Sequence, residues 1–283
     1  MKFDSIFVVD WSAGNDTGPR PRRDAIWLGG WVDGAPRDAE YLRNRTIAFD
    51  RLCAVIETEC TAGRTALFGF DFPFAYPAGF ARAVIGRDDP LSLWDFMAEE
   101  LFDTPRRNSR FELAARLNGL FSGIGPFWFN GTKADIPGLP RLKSERTGDC
   151  GLPERRACEM RAKGTFTCWQ MGGAGAVGGQ VMTGMAVLSR LRARYPDLIS
   201  VWPVEKCRKP VVFAEVWPSL IAAPVRAATD AIKDRAQVTL LARALAGQSP
   251  RDLAAMLSVD TPVEGWILGL GHEDKLEAAL CPV

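Results

Sequence analysis

Three carboxylates, Asp10, Asp71 and Glu215, each sit inside an apolar run: FVVDWS, ALFGFDFPF and VVFAEVWP. An acid surrounded by Val, Phe, Leu and Ala is costly to bury unless its charge is compensated, and a bound cation is the usual compensation. Each acid is followed by residues that end a strand, WSAG, FPFAYP and VWPSL. Carboxylates at the carboxyl ends of adjacent parallel strands converge on the edge of a sheet where ligands usually bind. Two or three such groups can hold one or two divalent ions, which activate water and stabilise the leaving oxygen of a phosphodiester or phosphate. Asp10, Asp71 and Glu215 are therefore the candidate catalytic and metal-binding residues, and their hard oxygens suit Mg²⁺ or Mn²⁺ better than zinc. Taken singly, each acid could instead cap a helix or pair with a buried Arg.

Composition narrows the chemistry further. The single histidine, His272 in GLGHEDK, excludes His-rich metal centres and leaves one residue for any Ser-His-Asp or Cys-His arrangement. Seven cysteines with no C-x-x-C pair argue against both a disulfide framework and a thiolate zinc site, and Cys53 and Cys60 read as helix core. A net charge of +1 carries no signature of a nucleic-acid binder. The 283 residues, 47% hydrophobic and 24% charged, fit a soluble globular chain. No apolar run is long enough to cross a bilayer, and the start MKFDSIFVVD lacks a secretory signal. The expected location is the cytoplasm, with no membrane partner.

The elements that must position these acids are legible in part. Strands are predicted at residues 5–11, 25–32 and about 40–46, the first two joined by the polar turn NDTGPRPRRD. AFDRLCAVIETEC follows as a helix with Phe49, Leu52, Cys53, Ile56 and Cys60 on one face, ended by AGR. Residues 65–72 then form a continuous apolar run, as expected of a strand covered on both faces. A meander of three strands, a helix and a further strand is the opening of a ribonuclease-H-like or actin-like α/β core. In such a sheet the first and fourth strands are neighbours, which brings Asp10 and Asp71 together.

Helices are predicted over LSLWDFMAEELF and RFELAARLNGLF. Residues 121–167 are rich in Gly and Pro and lack a period, and read as an irregular insertion that frames the site within a single domain spanning 1–283. The insertion is locally basic, with Lys133, Arg141, Lys143, Arg146, Arg155, Arg156, Arg161 and Lys163, most of them expected to face solvent and some to steer phosphate. A helix at about 179–195, strands in ISVWP and VVFAEVWP, and helices in IKDRAQVTLLARALAG and PRDLAAMLS complete the chain, with EGWILGLG ambiguous. The fold expected is thus a mixed sheet of meander, helix and parallel strands, flanked by helices.

Phosphate contacts have their own candidates. VVDWSAGND resembles the first phosphate loop of sugar-kinase and actin-type ATPases, in which Ser12, Gly14 and Asn15 would supply donors. MGGAGAVGG, ahead of a helix, offers Gly172, Gly173, Gly175, Gly178 and Gly179 either as an anion cradle or as a tight crossing or hinge. Lys233, Asp234 and Arg235 open a strong helix, Asp234 as a cap at the positive end of its dipole and Lys233 as a phosphate contact. The nine tryptophans can stack bases, though most are expected in the core.

VVDWSA, FGFDFPFAYP, GPFW, TCWQMGGAGAVGGQVMTG, AEVWPSL, IKDRAQV and EGWILGLG, in this order along nearly the whole chain, resemble an uncharacterised bacterial family, domain of unknown function 429. That family is grouped with ribonuclease-H-like proteins and described as predicted nucleases. The resemblance implies Asp10 as the first-strand acid, Asp71 as the fourth-strand acid and Glu215 as the acid of an E-V-x-P motif. It also implies a further acid from a late helix rich in Asp and Ala. That pattern is degraded here, leaving Asp252, Glu264 or Asp234 to fill the place. Labels on some relatives link them to molybdopterin dinucleotide assembly and so to nucleotide phosphates. The expected function is a metal-dependent phosphodiesterase or nuclease acting on nucleic acid or a nucleotide. The alternatives are an actin-like nucleotide-binding or phosphotransfer protein and a non-catalytic binding protein that retains the fold.

Overall fold

A computed structural model describes residues 2–18, 20, 25–259 and 264–280. The elements run β1 (Ser5–Asp10), β2 (Ile26–Val32), β3 (Ala35–Leu42), α1 (Arg45–Thr61), β4 (Ala66–Phe70), α2 (Phe80–Ile85), α3 (Pro90–Glu100), α4 (Arg110–Asn118), α5 (Ala157–Arg161), α6 (Gly178–Arg194), β5 (Ile199–Val201), β6 (Val211–Glu215), α7 (Ala222–Ala227), α8 (Lys233–Ala246), α9 (Pro250–Leu257) and α10 (Glu273–Ala278). They divide into two compact units. The first comprises the described residues up to Phe72, those from Leu191 to Val259, and those from Trp266 onward; the second comprises Pro73–Arg190 with Glu264 and Gly265. The second unit therefore begins well before the insertion read from the sequence at 121–167. Among the described residues no helix is long and apolar enough to cross a membrane.

The first unit is built on a six-stranded mixed sheet of order β3-β2-β1-β4-β6-β5. β1, β2 and β3 form an antiparallel meander, whereas β4 is parallel to both β1 and β6, and β5 is parallel to β6. All five residues of β4 and of β6 are buried, as their unbroken apolar sequences require of strands covered on both faces.

The third strand differs most from the sequence expectation. It starts at Ala35 because Asp33 and Gly34 both take positive φ, 52° and 79°, giving the tight turn that Asp-Gly favours between antiparallel strands. It cannot extend to residue 46, because Asn44 accepts the Ile47 N–H and starts α1.

The two faces of the sheet are covered differently. On one, α8 packs across β1, β2 and β3, and a Cβ on Gly29 would lie 2.7 Å from the Val238 carbonyl carbon. On the other, α1 anchors to β1 through the buried carboxylate of Glu59, which accepts the Ser5 hydroxyl at 2.5 Å and the Arg64 guanidinium at 2.6 and 2.9 Å.

In the second unit, α2, α3, α4, α5 and the part of α6 up to Arg190 gather around an aromatic core. Tyr76, Phe80, Phe127 and Trp169 pack with ring centroids 4.4–5.7 Å apart. Between residues 121 and 167 the only helical turns are α5 and a short 3-10 turn at Lys143–Glu145.

Gly29→Ala is expected to destabilise the first unit by about 2 kcal/mol, because the added methyl meets backbone atoms that cannot swing aside. Urea unfolding monitored by circular dichroism measures this. An unchanged midpoint would show that α8 is not held against β2 at this position.

Candidate functional site

Register brings Asp10 and Asp71 together. β1 and β4 pair from Ser5↔Ala66 to Val9↔Phe70, and the Asp71 N–H donates to the Val9 carbonyl at 3.2 Å, so Asp71 is the next step after Phe70, opposite Asp10. Both face α8. Gly29 lies under Val238 and pairs with Val8, and Val8 pairs with Gly69; Asp10 and Asp71 stand two residues beyond Val8 and Gly69 on the same side of the pleat.

The two carboxyl groups share a hydrogen bond, and Asp71 Oδ1 also accepts the Trp11 N–H at 2.6 Å. Burial pushes the Asp71 carboxyl up to about 6, against the pull of the Asp10 and Trp11 hydrogen bonds and with a further push from the negative charge of Asp234. Two carboxyls in contact near neutral pH share a proton or hold a cation, since both cannot stay ionised alone at low cost. Asp234 lies in the first turn of α8, which places a third acid beside the pair.

Glu215 stands one step out of this row. It pairs with Phe70, while the Val216 N–H donates to the Phe70 carbonyl at 2.9 Å, so Val216 is the residue opposite Asp71. The Val216 side chain covers Gly69, where a Cβ would be only 2.6 Å from it. Alternation along β6 turns Glu215 to the other face, that of Phe213 and Phe70, whose rings are 5.2 Å apart. Glu215 is 3% exposed, and its carbonyl accepts the Leu268 N–H at 2.8 Å.

The remaining acids named from the sequence are engaged elsewhere. Asp252 binds Lys275 and accepts the Ser249 hydroxyl at 2.6 Å, a cap for α9. Glu264 belongs to the second unit, where it accepts the Ala157 N–H at 3.0 Å. Among the described residues no three His, Cys, Asp or Glu side chains lie close enough to ligate one ion together. The compact donor set is the Asp10–Asp71 pair.

The loop after β1 is shaped from inside the fold. Arg45, 3% exposed at the start of α1, donates to the carbonyls of Ser12 at 3.1 Å and Gly14 at 2.6 Å and to Asn15 Oδ1 at 2.7 Å. Asn44 donates to the Asp16 carbonyl at 3.2 Å, and Asp16 accepts the Tyr41 hydroxyl and the Gly18 N–H. Gly14 N–H, one of the expected phosphate donors, is taken by Ser12 Oγ at 3.0 Å. Tyr41 and Trp27 continue the row of Asp10 across β3 and β2, and among the described residues the buried Trp27 indole N–H has no hydrogen-bond partner. Sequence reasoning missed Arg45, Asp16 and Tyr41; the available signal was an arginine directly after the Asn cap of α1.

The other phosphate candidates are dispersed. Lys233 is exposed at the first position of α8. Gly172, Gly173 and Gly175 belong to the second unit, where the first two lie against the Phe129 ring and the third against Phe166, while Gly178 abuts the carbonyls of Cys168 and Gln170. Close approach of rings and backbone accounts for these glycines as a tight crossing. The basic insertion likewise spends charge internally. Arg141 donates to the carbonyls of Asn130, Thr132 and Ala134, Arg146 and Lys143 bind Glu154, and Arg156 binds Glu159.

No family model, curated protein or solved structure matches this chain.

The raised Asp71 value fixes a sign. A carboxyl whose folded value lies above its unfolded one favours the folded state below the unfolded value, and that contribution is lost as pH rises through about 6. Asp71→Asn is therefore expected to raise the melting temperature at pH 8 and to give no gain at pH 4. Thermal melts of both proteins across that range test it, and a shift equal at every pH would contradict the assignment.

Proposed function

We propose that the first unit is a ribonuclease-H-like, metal-dependent phosphodiesterase or nuclease whose working groups are Asp10 and Asp71, with Asp234 as the third acid. The observation that carries this reading is the contact between two carboxyls at the carboxyl ends of neighbouring parallel strands. The sheet order supports it, since an antiparallel meander followed by a helix and a central parallel strand is what the family resemblance implies.

The donor set fits Mg²⁺ or Mn²⁺. Such ions keep several waters and bind through one or two carboxylates together with phosphate oxygens of the substrate, so a two-carboxylate seat is sufficient. A bound divalent ion supplies neutralisation of phosphate charge and a lowered pKa for water. The chain supplies the rest. Asp10 and Asp71 would hold the ion and would have to give up the proton between them to do so, the Trp11 N–H holds the Asp71 oxygen in place, and Asp234 adds negative charge beside them. Arg45 fixes the loop carbonyls of Ser12 and Gly14, which makes the rim next to Asp10 rigid. Glu215 enters this reading as support for the end of β6 through its bond to Leu268.

Asp10→Asn and Asp71→Asn are each expected to lower Mn²⁺-dependent hydrolysis of bis-p-nitrophenyl phosphate or of single-stranded oligonucleotides at least about 100-fold. Asp252→Asn should leave it unchanged. Equal turnover by wild type and Asp10→Asn would remove the carboxylate pair from the reaction.

Calorimetry gives a second check. Mn²⁺ affinity should fall by roughly tenfold per pH unit below pH 6, where the ion competes with the shared proton. Absence of binding heat at pH 7.5, or heat retained in Asp10→Asn, would refute the seat.

A further inference from the structure

The second unit carries an aromatic surface that its core does not use. Phe166 is 51% exposed, and Trp128 and Phe129 are partly exposed, unlike the buried Phe127 and Trp169 beside them in sequence. The indole N–H of Trp128 is buried and has no hydrogen-bond partner among the described residues, so the part of this side chain that solvent reaches is carbon.

These rings are held together by backbone. Trp128 donates to the Trp169 carbonyl at 3.1 Å and accepts the Met171 N–H at 2.9 Å, which ties its strand to the segment that leads into the glycine loop. The Phe129 ring lies against Gly172 and Gly173, and the Phe166 ring lies against Gly175. Since Gly173 and Gly175 are two residues apart, their Cα atoms are at most about 7 Å from each other. Two rings thus flank one short loop.

Phe129 has φ of 75°, a left-handed conformation that a bulky side chain adopts only under constraint from its surroundings. The Phe129 and Asn130 N–H groups both donate to the Pro140 carbonyl, at 2.8 and 3.1 Å, and Arg141 donates to the Asn130, Thr132 and Ala134 carbonyls that follow. Such constraint concentrates at ligand-holding positions. Two exposed cations lie close to these rings along the chain: Lys133 follows Phe129 by four residues and Lys163 precedes Phe166 by three. Arg141, Arg146 and Arg156 are committed to carbonyls and carboxylates, but among the described residues no hydrogen bond or ion pair engages the side chains of these two lysines.

We propose that this surface binds the bases of single-stranded nucleic acid. Exposed rings offer stacking to unpaired bases of any sequence, and flanking lysines neutralise the phosphates between them. An enclosed duplex presents no free base faces to such rings. The inference goes beyond the carboxylate pair, because stacking requires neither a bound cation nor catalysis.

The test uses the full-length protein in EDTA with a fluorescein-labelled oligothymidylate of about 12 nucleotides, read by anisotropy. Saturable binding is expected, weaker for a blunt duplex of equal length. Phe166→Ala should raise Kd about tenfold, and Phe166→Leu, which keeps an apolar side chain but no ring, should do the same. Lys133→Gln and Lys163→Gln should each flatten the dependence of log Kd on log salt by about 0.7. Circular dichroism of each variant checks that the exposed substitutions preserve the fold.

Three results would overturn the proposal: duplex binding as tight as single-strand binding, oligonucleotide binding unaffected by either Phe166 variant, or self-association of the wild type that Phe166→Ala abolishes. Because no cation is present, failure here leaves the hydrolysis reading untouched, and loss of hydrolysis in Asp10→Asn leaves this binding untouched.

Discussion

Two carboxyl groups held in contact by adjacent parallel strands are the constraint on which the first unit depends. Repulsion between them would be relieved by a one-residue slip of β1 against β4, since a slip sends one side chain to the opposite face. Packing on both faces forbids it. On one side Phe7 stacks on Phe68 at 4.8 Å, and Phe213 meets Phe68 at 5.8 Å and Phe70 at 5.2 Å, locking β1, β4 and β6 in step. On the other side α8 closes on Gly29 and Val216 closes on Gly69 with no room for a shift. The apolar register thus imposes proximity on the two acids.

Glu215 shows why this site was only partly legible in sequence. AEVWP and FDFPF have the same grammar, an acid at the end of an apolar run, and pattern alone makes them equivalent. Whether an acid shares a face with its neighbours depends on the parity of strand pairing, which no single strand encodes. β4 and β6 pair so that Val216 takes the place next to Asp71. The reverse holds for Asp234, whose position in KDRAQ reads as a helix cap. Its location beside Asp71 follows from where α8 begins over the sheet, a tertiary fact. β1, β2, β4, α1, α6 and α8 were visible as apolar runs or amphipathic segments, whereas the start of β3 turned on an Asp-Gly pair obscured by a more polar stretch further on.

Charged residues in both units act mainly on backbone. Arg45 orders the loop after β1, Arg141 orders residues 130–134, and Glu59 joins α1 to β1 through Ser5 and Arg64. Arg45 and Glu59 satisfy groups that would otherwise be buried unpaired, whereas Arg141 does so along a largely exposed segment. A count of cations in residues 121–167 therefore overstates the positive surface available to a phosphate. The exposed cations that no hydrogen bond or ion pair engages among the described residues, Lys133, Arg155 and Lys163, carry more information than the total.

The acid at position 71 is not something the fold requires. An amide there could still accept the Trp11 N–H through its carbonyl oxygen and would bring no charge against Asp10 and Asp234. Burial, with a further push from the charge of Asp234, raises the Asp71 carboxyl to about 6 despite its hydrogen bonds to Asp10 and Trp11, a cost that folding alone gives no reason to keep. Groups held in this way cluster where a ligand relieves the cost. A divalent cation would do so by replacing the shared proton with two charges, and the surrounding low-polarity strands strengthen that attraction by excluding water. On the proposed reading, the energetic defect and an affinity for a cation would be one property of the same two carboxyls.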